Sequence, residues 1–449
     1  MRLAWCTPFS RHSAIGAVSR VVAEQLARTC DVEVFYPATS DPLSTALTTH
    51  PMFVGENATS VLADFDLVVY CMGNHLWNHK SIADAQQRVP GIVILHDLVL
   101  HHFFVDHCFH SEGGKQRYLR EIGRLYGAEE RERARVGLES APADRWQPVH
   151  PELTPMFELF IAGATGVVTH SEYARDRVRE KFLGPVAAIP LPVVPRAHRL
   201  QSAELQDDGK VVVSTIGQIN PNKQIADVIE ALGRDPSLAA RVRYLVVGPC
   251  PDAHRRELEA LVVEHGLEDV VELRGRVDEE ELDAVLAASD VCVNLRRPCI
   301  EAASASLGEE MWYGKPTIVA DAGCYSELPD DAVVKIDPDD PVGATGLALR
   351  MLVDDVSRRR AVGERAAAYA RAHLRADLYA AKLVAFVDEV LASRPFLAVA
   401  DALGHHLGRL GVSAGMPVVD ESARVAHELF ADAAPGGAVN VHVTQAPGV

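Results

Sequence analysis

Short apolar runs recur along the whole chain, each closed by small or turn-forming residues and followed by a stretch of helical period. In the first half the pattern predicts strands over 3–7, 32–36, 67–71, 92–95, 166–169 and 187–189. In the second it predicts them over 211–216, 243–247, 270–274, 291–295, 317–320 and 332–336. The runs are nearly continuous rather than alternating, which suits strands covered on both faces. Strands that alternate with helices imply parallel sheets and α/β architecture. Two segments share one layout of strand, small-residue turn and amphipathic helix: 3–7, Ser13-Ala14-Ile15-Gly16 and 18–27, then 211–216, 217–223 and 225–232. Each reads as the opening of a Rossmann-like half.

The boundary between the halves falls in 190–208, a Pro-containing and then polar stretch. The predicted division is residues 1–195, 196–375, a helix over 376–395 crossing back to the first domain, and an extension over 396–449. Two doubly wound domains facing a cleft are expected. Residues 354–391 look helical, with Pro395 ending the run, and 420–430 read as one more helix. The Gly, Pro and Ala-rich end 433–449 reads as frayed.

Composition narrows the class. With 48% hydrophobic residues over 449 positions, the chain can fill two or three cores. A net charge of −18 argues against nucleic acid as partner, since phosphate neutralisation needs clustered Lys and Arg. The eight cysteines are scattered, several inside predicted strands, with no C-x-x-C pair, so they read as reduced core residues. Met1–Trp5 runs straight into a strand rather than a leader, and no apolar run reaches the roughly 18 residues of a membrane span. A soluble cytoplasmic protein is expected, with peripheral membrane contact left open. The 115–135 stretch places Tyr118, Ile122 and Leu125 on one helical face, which fits packing on a core.

The candidate chemistry concentrates at Glu301-Ala-Ala-Ser304-Ala305-Ser306-Leu-Gly-Glu309, followed by Gly314-Lys315-Pro316 and the 317–320 strand. On one regular helix the two carboxylates would share a face about 12 Å apart along the axis, so a ligand reaching both is long. Glu301 also follows the 291–295 strand, and the carboxyl ends of such strands are where open α/β sheets bind nucleotides. This E-x7-E pair before Gly-Lys-Pro and a strand resembles the signature of the retaining family-4 glycosyltransferases of GT-B fold.

The resemblance implies Glu309 at the donor ribose and Glu301 at the donor sugar. Ala302-Ala-Ser304-Ala305-Ser306 stands where the family usually has Gly-Phe-Gly-Leu-Pro, and its small residues, with the hydroxyls of Ser304 and Ser306, still let backbone amides approach a phosphate. Gly217-Gln218-Ile-Asn220-Pro-Asn-Lys223 is similar to the family's phosphate-gripping turn: Lys223 matches, while Gln218 stands where the family has Arg. A single cation near a helix amino end at about Gln224 is then expected to offset most of the phosphate charge. Ser13–Gly16 resembles the family's first glycine-rich loop, of which Gly16 transfers. His96, closing the 92–95 strand, resembles the family's strand-end histidine between donor sugar and acceptor.

The implied activity is transfer of a sugar from a nucleotide-sugar co-substrate to an acceptor hydroxyl with retention, without a metal or other cofactor. Glu310 competes with Glu309 for the ribose role, and each named residue has an ordinary structural alternative. Asp337-Pro-Asp339 fits a metal-binding D-x-D, but its Pro-rich setting reads as a turn. His101, His102, His107 and His110 show no compact ligand spacing. A sugar phosphorylase, a nucleotide-sugar epimerase and a non-catalytic binder of the same fold remain alternatives.

Overall fold

The computed structural model describes residues 1–52, 56–140, 150–194, 209–412 and 416–429. It divides into two units, one comprising Met1–Ile189 with the chain from Tyr379 onward, the other Pro190–Leu378. The polar stretch 195–208 and the tail 433–449 lie outside the described residues.

The first unit holds a seven-stranded sheet of β1 (Arg2–Cys6), β2 (Asp31–Pro37), β3 (Thr48–Met52), β4 (Leu67–Met72), β5 (Ile92–Leu95), β6 (Gly166–Thr169) and β7 (Val186–Ala188), in the order β3-β2-β1-β4-β5-β6-β7. All its pairings are parallel. The run Leu-Val-Val-Tyr-Cys-Met of β4 is buried at every position, as a central strand covered on both faces must be. β3 went unpredicted: Thr-Thr-His-Pro-Met is a partly exposed edge strand, where Pro51, which has no N–H to give, is tolerated because there is no second neighbour to receive one.

The second unit holds β8 (Val211–Ile216), β9 (Val242–Val247), β10 (Val271–Gly275), β11 (Val291–Asn294), β12 (Thr317–Ala320) and β13 (Val334–Ile336), ordered β10-β9-β8-β11-β12-β13 and again parallel. Its core joins Val213, Tyr244, Val291 and Ile318 from the strands to Val228, Leu232 and Leu349 from the helices. In each sheet the order reverses once, at β1/β4 and at β8/β11, and a crevice opens outside the carboxyl ends of strands at such a switch point.

Several helix boundaries depart from the sequence pattern. The helix after β1 begins at Ala14, capped by Ser13, so Gly16 sits in its first turn rather than in a loop. The 354–391 run starts at the last residue of the helix Pro341–Asp354 and then spans two more, Val356–His373 and the start of Ala376–Arg409. The first break is at Asp355, whose side chain caps the next helix by accepting from the Arg358 N–H.

Pro395 does not end the last of these helices but lies inside it. Proline there removes the hydrogen bond to the carbonyl four residues back. Packing offsets that loss: Phe396 is 1% exposed, and Phe386 and Val390 press so closely on β6 that a Cβ on Gly166 would lie 2.5 Å from Val390. Burying side chains of this size stabilises by roughly 1.5–3 kcal/mol each. The 115–135 stretch lies in Gly114–Ser140, kinked at Gly127, and Tyr118 and Ile122 pack with Phe104, Val105 and Met156.

Candidate functional site

The second unit's switch point gathers buried ionisable groups. Beyond β8, Gly217 takes a positive φ of 96°, and its carbonyl oxygen would lie 1.9 Å from any Cβ on Gly248. A tight turn, Pro221–Lys223, and left-handed Gln224 then lead into the helix Ile225–Gly233. This path folds Lys223 back under the end of β8, where it is 3% exposed and its Nζ donates to the Ile216 carbonyl. Nζ lies 3.2 Å from where a Cβ on residue 217 would stand, so a side chain there would be strained and would crowd the ammonium.

Beyond β11 come the partners. Asn294 Nδ2 donates to both oxygens of Glu310, at 3.1 and 3.0 Å, and to Ser306 Oγ at 3.0 Å. Arg296, 8% exposed, pairs through Nε with Glu301 Oε1 at 2.6 Å. Tyr325 Oη donates to the same oxygen at 2.8 Å, and the Ile300 N–H to Oε2 at 3.3 Å. Three donors on a carboxylate with about four lone-pair sites leave room for one more.

Glu301 and Glu309 do not share a helix. The helix is Ala305–Trp312, capped by Ser304, which accepts from the Leu307 N–H at 3.3 Å; Glu301 stands in the loop before it. Ser304 and Ser306 hydroxyls are 3.1 Å apart, Ala305 is exposed and Glu309 partly buried. Gly-Lys-Pro ends the helix: Gly314 at φ 68° lets the Lys315 N–H reach the Glu310 carbonyl. Lys315 Nζ donates to the carbonyls of Ala287 and Ser289, each at 2.9 Å.

Two sequence expectations change here. Glu310 is not a surface competitor of Glu309: it is 0% exposed, on the helix face it shares with Leu307 and Met311. Nor is Lys223 alone, since buried Arg296 stands close enough to depress its proton affinity. Burial first, then Arg296, brings Lys223 down to about 7, against the pull of Glu310 and Glu301. Burial likewise pushes Glu310 up to about 7, opposed by its Asn294 hydrogen bonds and by Lys223 and Arg296. Gln218, in the family's Arg position, is exposed. Asp337 accepts from the Asp339 N–H at 2.8 Å, forming a turn, and Asp339 pairs with Arg297 at 3.2 Å.

The first unit's strand ends carry imidazoles instead. The His96 N–H continues the ladder to the Met72 carbonyl at 2.9 Å. Its Nδ1 lies 3.1 Å from Nε2 of His170, and His170 Nδ1 lies 3.0 Å from the Ile189 carbonyl. His79, 2% exposed, contacts the carbonyl of His75 through Nδ1 at 2.9 Å. Gly16 is required by packing, because a Cβ there would lie 2.4 Å from the Pro8 carbonyl oxygen. The four histidines weighed as metal ligands each meet a protein partner: His101 meets Tyr118 and Thr154, His102 meets Asn74, His107 meets Arg117, and His110 meets the Asp106 carbonyl.

Residues 198–369 match the family model described as glycosyl transferases group 1. The matched segment lies within the second unit, Pro190–Leu378. No curated protein matches the sequence significantly. Among solved structures, a sucrose-phosphate synthase from Thermosynechococcus elongatus is similar at TM-score 0.59 and 17% identity, over 87% of this chain and 99% of its own. HepE from Anabaena, in complex with UDP and glucose, follows at 0.57 and 14%, over 86% and 99%. WaaG, a glycosyltransferase involved in lipopolysaccharide biosynthesis, stands at 0.56 and 16%, over 86% and 98%. At these identities the likeness establishes the fold, which is GT-B.

The sequence did not single out Asn294, Arg296, Tyr325, His79 or His170. They come from separate segments, and only the pattern Leu307, Glu310, Met311 carried a local signal, a carboxylate on the apolar face of a helix.

Proposed function

We propose that the chain transfers a sugar from a nucleotide-sugar donor to an acceptor hydroxyl with retention of anomeric configuration. The observation that carries this reading is the buried set Lys223, Arg296 and Glu310, with mostly buried Glu301 on Arg296 and Gly217 beside Lys223, at the β8/β11 switch point. Two buried cations beside an uncrowded glycine suit a diphosphate, whose negative charge grows as the bond to the sugar breaks. Glu301, with a lone pair to spare, suits a sugar hydroxyl, and Glu309 the ribose. His96 suits a hydroxyl of donor or acceptor. In the retaining mechanism the leaving phosphate, held by Lys223 and Arg296, helps deprotonate the incoming hydroxyl.

The charge is supplied by side chains, so no metal is invoked, and turnover is expected to survive EDTA. No described helix is long and apolar enough to cross a membrane, and a cytoplasmic enzyme of glycan, glycolipid or natural-product synthesis is the setting proposed. HepE, of the same fold, was crystallised with UDP-glucose, so uridine donors are the first to try. The test is incubation with UDP-, GDP-, ADP- and dTDP-sugars. Release of nucleoside diphosphate with an α-configured product from an α-configured donor supports the reading. Silence across the panel, or activity only with added metal, overturns it.

A further inference from the structure

The imidazoles that follow β5 and β6 leave one way to place their protons. The Ile189 carbonyl can only accept, so His170 Nδ1, 3.0 Å away, carries hydrogen. His170 is 4% exposed, and burial brings it down to about 4, so the ring is neutral and its Nε2 is a bare lone pair. That lone pair faces His96 Nδ1 at 3.1 Å, which must therefore donate. His96 is held neutral as well, by burial first and then by His170 and His79, so its own Nε2 is bare. This nitrogen is shut away from solvent and has no hydrogen-bond partner among the described residues. A bound O–H or N–H would relieve that cost.

His79 repeats the arrangement beside β4. Its Nδ1 is committed to the His75 carbonyl at 2.9 Å, and its buried Nε2 is likewise without a partner. That nitrogen lies 3.1 Å from where Gly73, the residue after β4, would carry a Cβ. The ends of β4 and β5 thus offer hydrogen-bond acceptors of the kind a polyhydroxylated ligand satisfies.

We propose that His170 is a positioning residue: anchored on the Ile189 carbonyl, it fixes His96 as the Nδ1–H tautomer, so that His96 Nε2 accepts from a substrate hydroxyl. The order of protons stands on the distances among Ile189, His170 and His96 and on the burial of both rings. That the hydroxyl belongs to a sugar donor or its acceptor rests on the transfer reading above.

The test is imidazole nitrogen NMR of the whole protein carrying 15N-histidine, with the His96 signals identified by their loss in His96→Gln. In the wild type, His96 Nδ1 should be protonated and Nε2 bare. In His170→Phe the proton should move to Nε2, and saturated turnover should fall about tenfold while UDP affinity is unchanged, as expected for one lost hydrogen bond made at the reacting hydroxyl. His170→Gln, whose amide can still accept from His96 and donate to Ile189, should retain more of the turnover.

A wild-type His96 protonated at Nε2, or at both nitrogens, overturns the proposal, and so does a His170→Phe tautomer identical to the wild type. The wild-type spectrum decides even if His170→Phe does not fold. A wild-type tautomer as stated in a protein that consumes no nucleotide sugar upholds the relay and sinks the transfer reading instead.

Discussion

The two sheets end in different chemistry. At the carboxyl end of the second, Lys223, Arg296 and Glu310 are buried close enough to shift one another's proton affinity, and Arg296 pairs with the mostly buried Glu301. At the carboxyl end of the first, the buried groups are imidazoles, His79, His96 and His170, held neutral by burial. Opposite charges that neutralise one another can stay buried before a ligand arrives, and an arriving anion shifts their balance toward the cations. Neutral acceptors hold no such charge; they discriminate by requiring a hydrogen from the ligand. On the transfer reading proposed above, the difference assigns phosphate charge to one unit and hydroxyls to the other.

Removing the charge should have the largest effect. Lys223→Ala is expected to lower turnover by roughly 10²- to 10³-fold, the size of losing one preorganised group at developing negative charge, and to weaken nucleoside diphosphate binding as well. Steady-state kinetics with calorimetric binding checks it, and unchanged turnover would detach Lys223 from the reaction. Glu309→Ala should weaken nucleotide binding by roughly 1.5–3 kcal/mol, the range for a hydrogen bond to a charged group. Equal affinity in mutant and wild type would remove Glu309 from the ribose.

Glu310→Ala sharpens the comparison through stability. It leaves Asn294 without two of its acceptor contacts and should cost about 1–3 kcal/mol in denaturant unfolding. A variant as stable as the wild type would show that the buried carboxylate is dispensable.

The smallest effect expected is that of pH. Lys223 titrates near 7 in the fold against 10.5 when free. Between those values the unfolded chain holds the extra proton, so this group's contribution to stability rises with pH across the window. A bound diphosphate favours the charged lysine and takes a proton up, so diphosphate affinity should fall by up to about tenfold per unit as pH climbs above 7. Titration in buffers of different ionisation enthalpy reads that proton directly, and an affinity flat from pH 7 to 9 would contradict the buried-lysine account.

The central strands were legible because strands covered on both faces leave unbroken apolar runs, as in β4 and β11. The edge strand β3 left no such trace. Lys223 was legible as a candidate because its placement is set by the local turn after β8, whereas Arg296 and Tyr325 meet Glu301 only when separate segments come together. Pro395 misled because packing of Val390 and Phe396 outweighs a lost helical hydrogen bond, and no local pattern shows that. The proton order along Ile189, His170 and His96 depends on distances and burial, so sequence is silent on it.

The division of labour is tested most directly by calorimetric titration of UDP, GDP, ADP and dTDP into the wild type, Lys223→Ala and His96→Ala, alongside turnover of each. The account predicts that the preferred nucleotide binds His96→Ala nearly as tightly as the wild type while turnover drops, and that Lys223→Ala loses both. If folded His96→Ala loses nucleotide affinity as severely as Lys223→Ala, the assignment of charge to one unit and hydroxyls to the other is wrong.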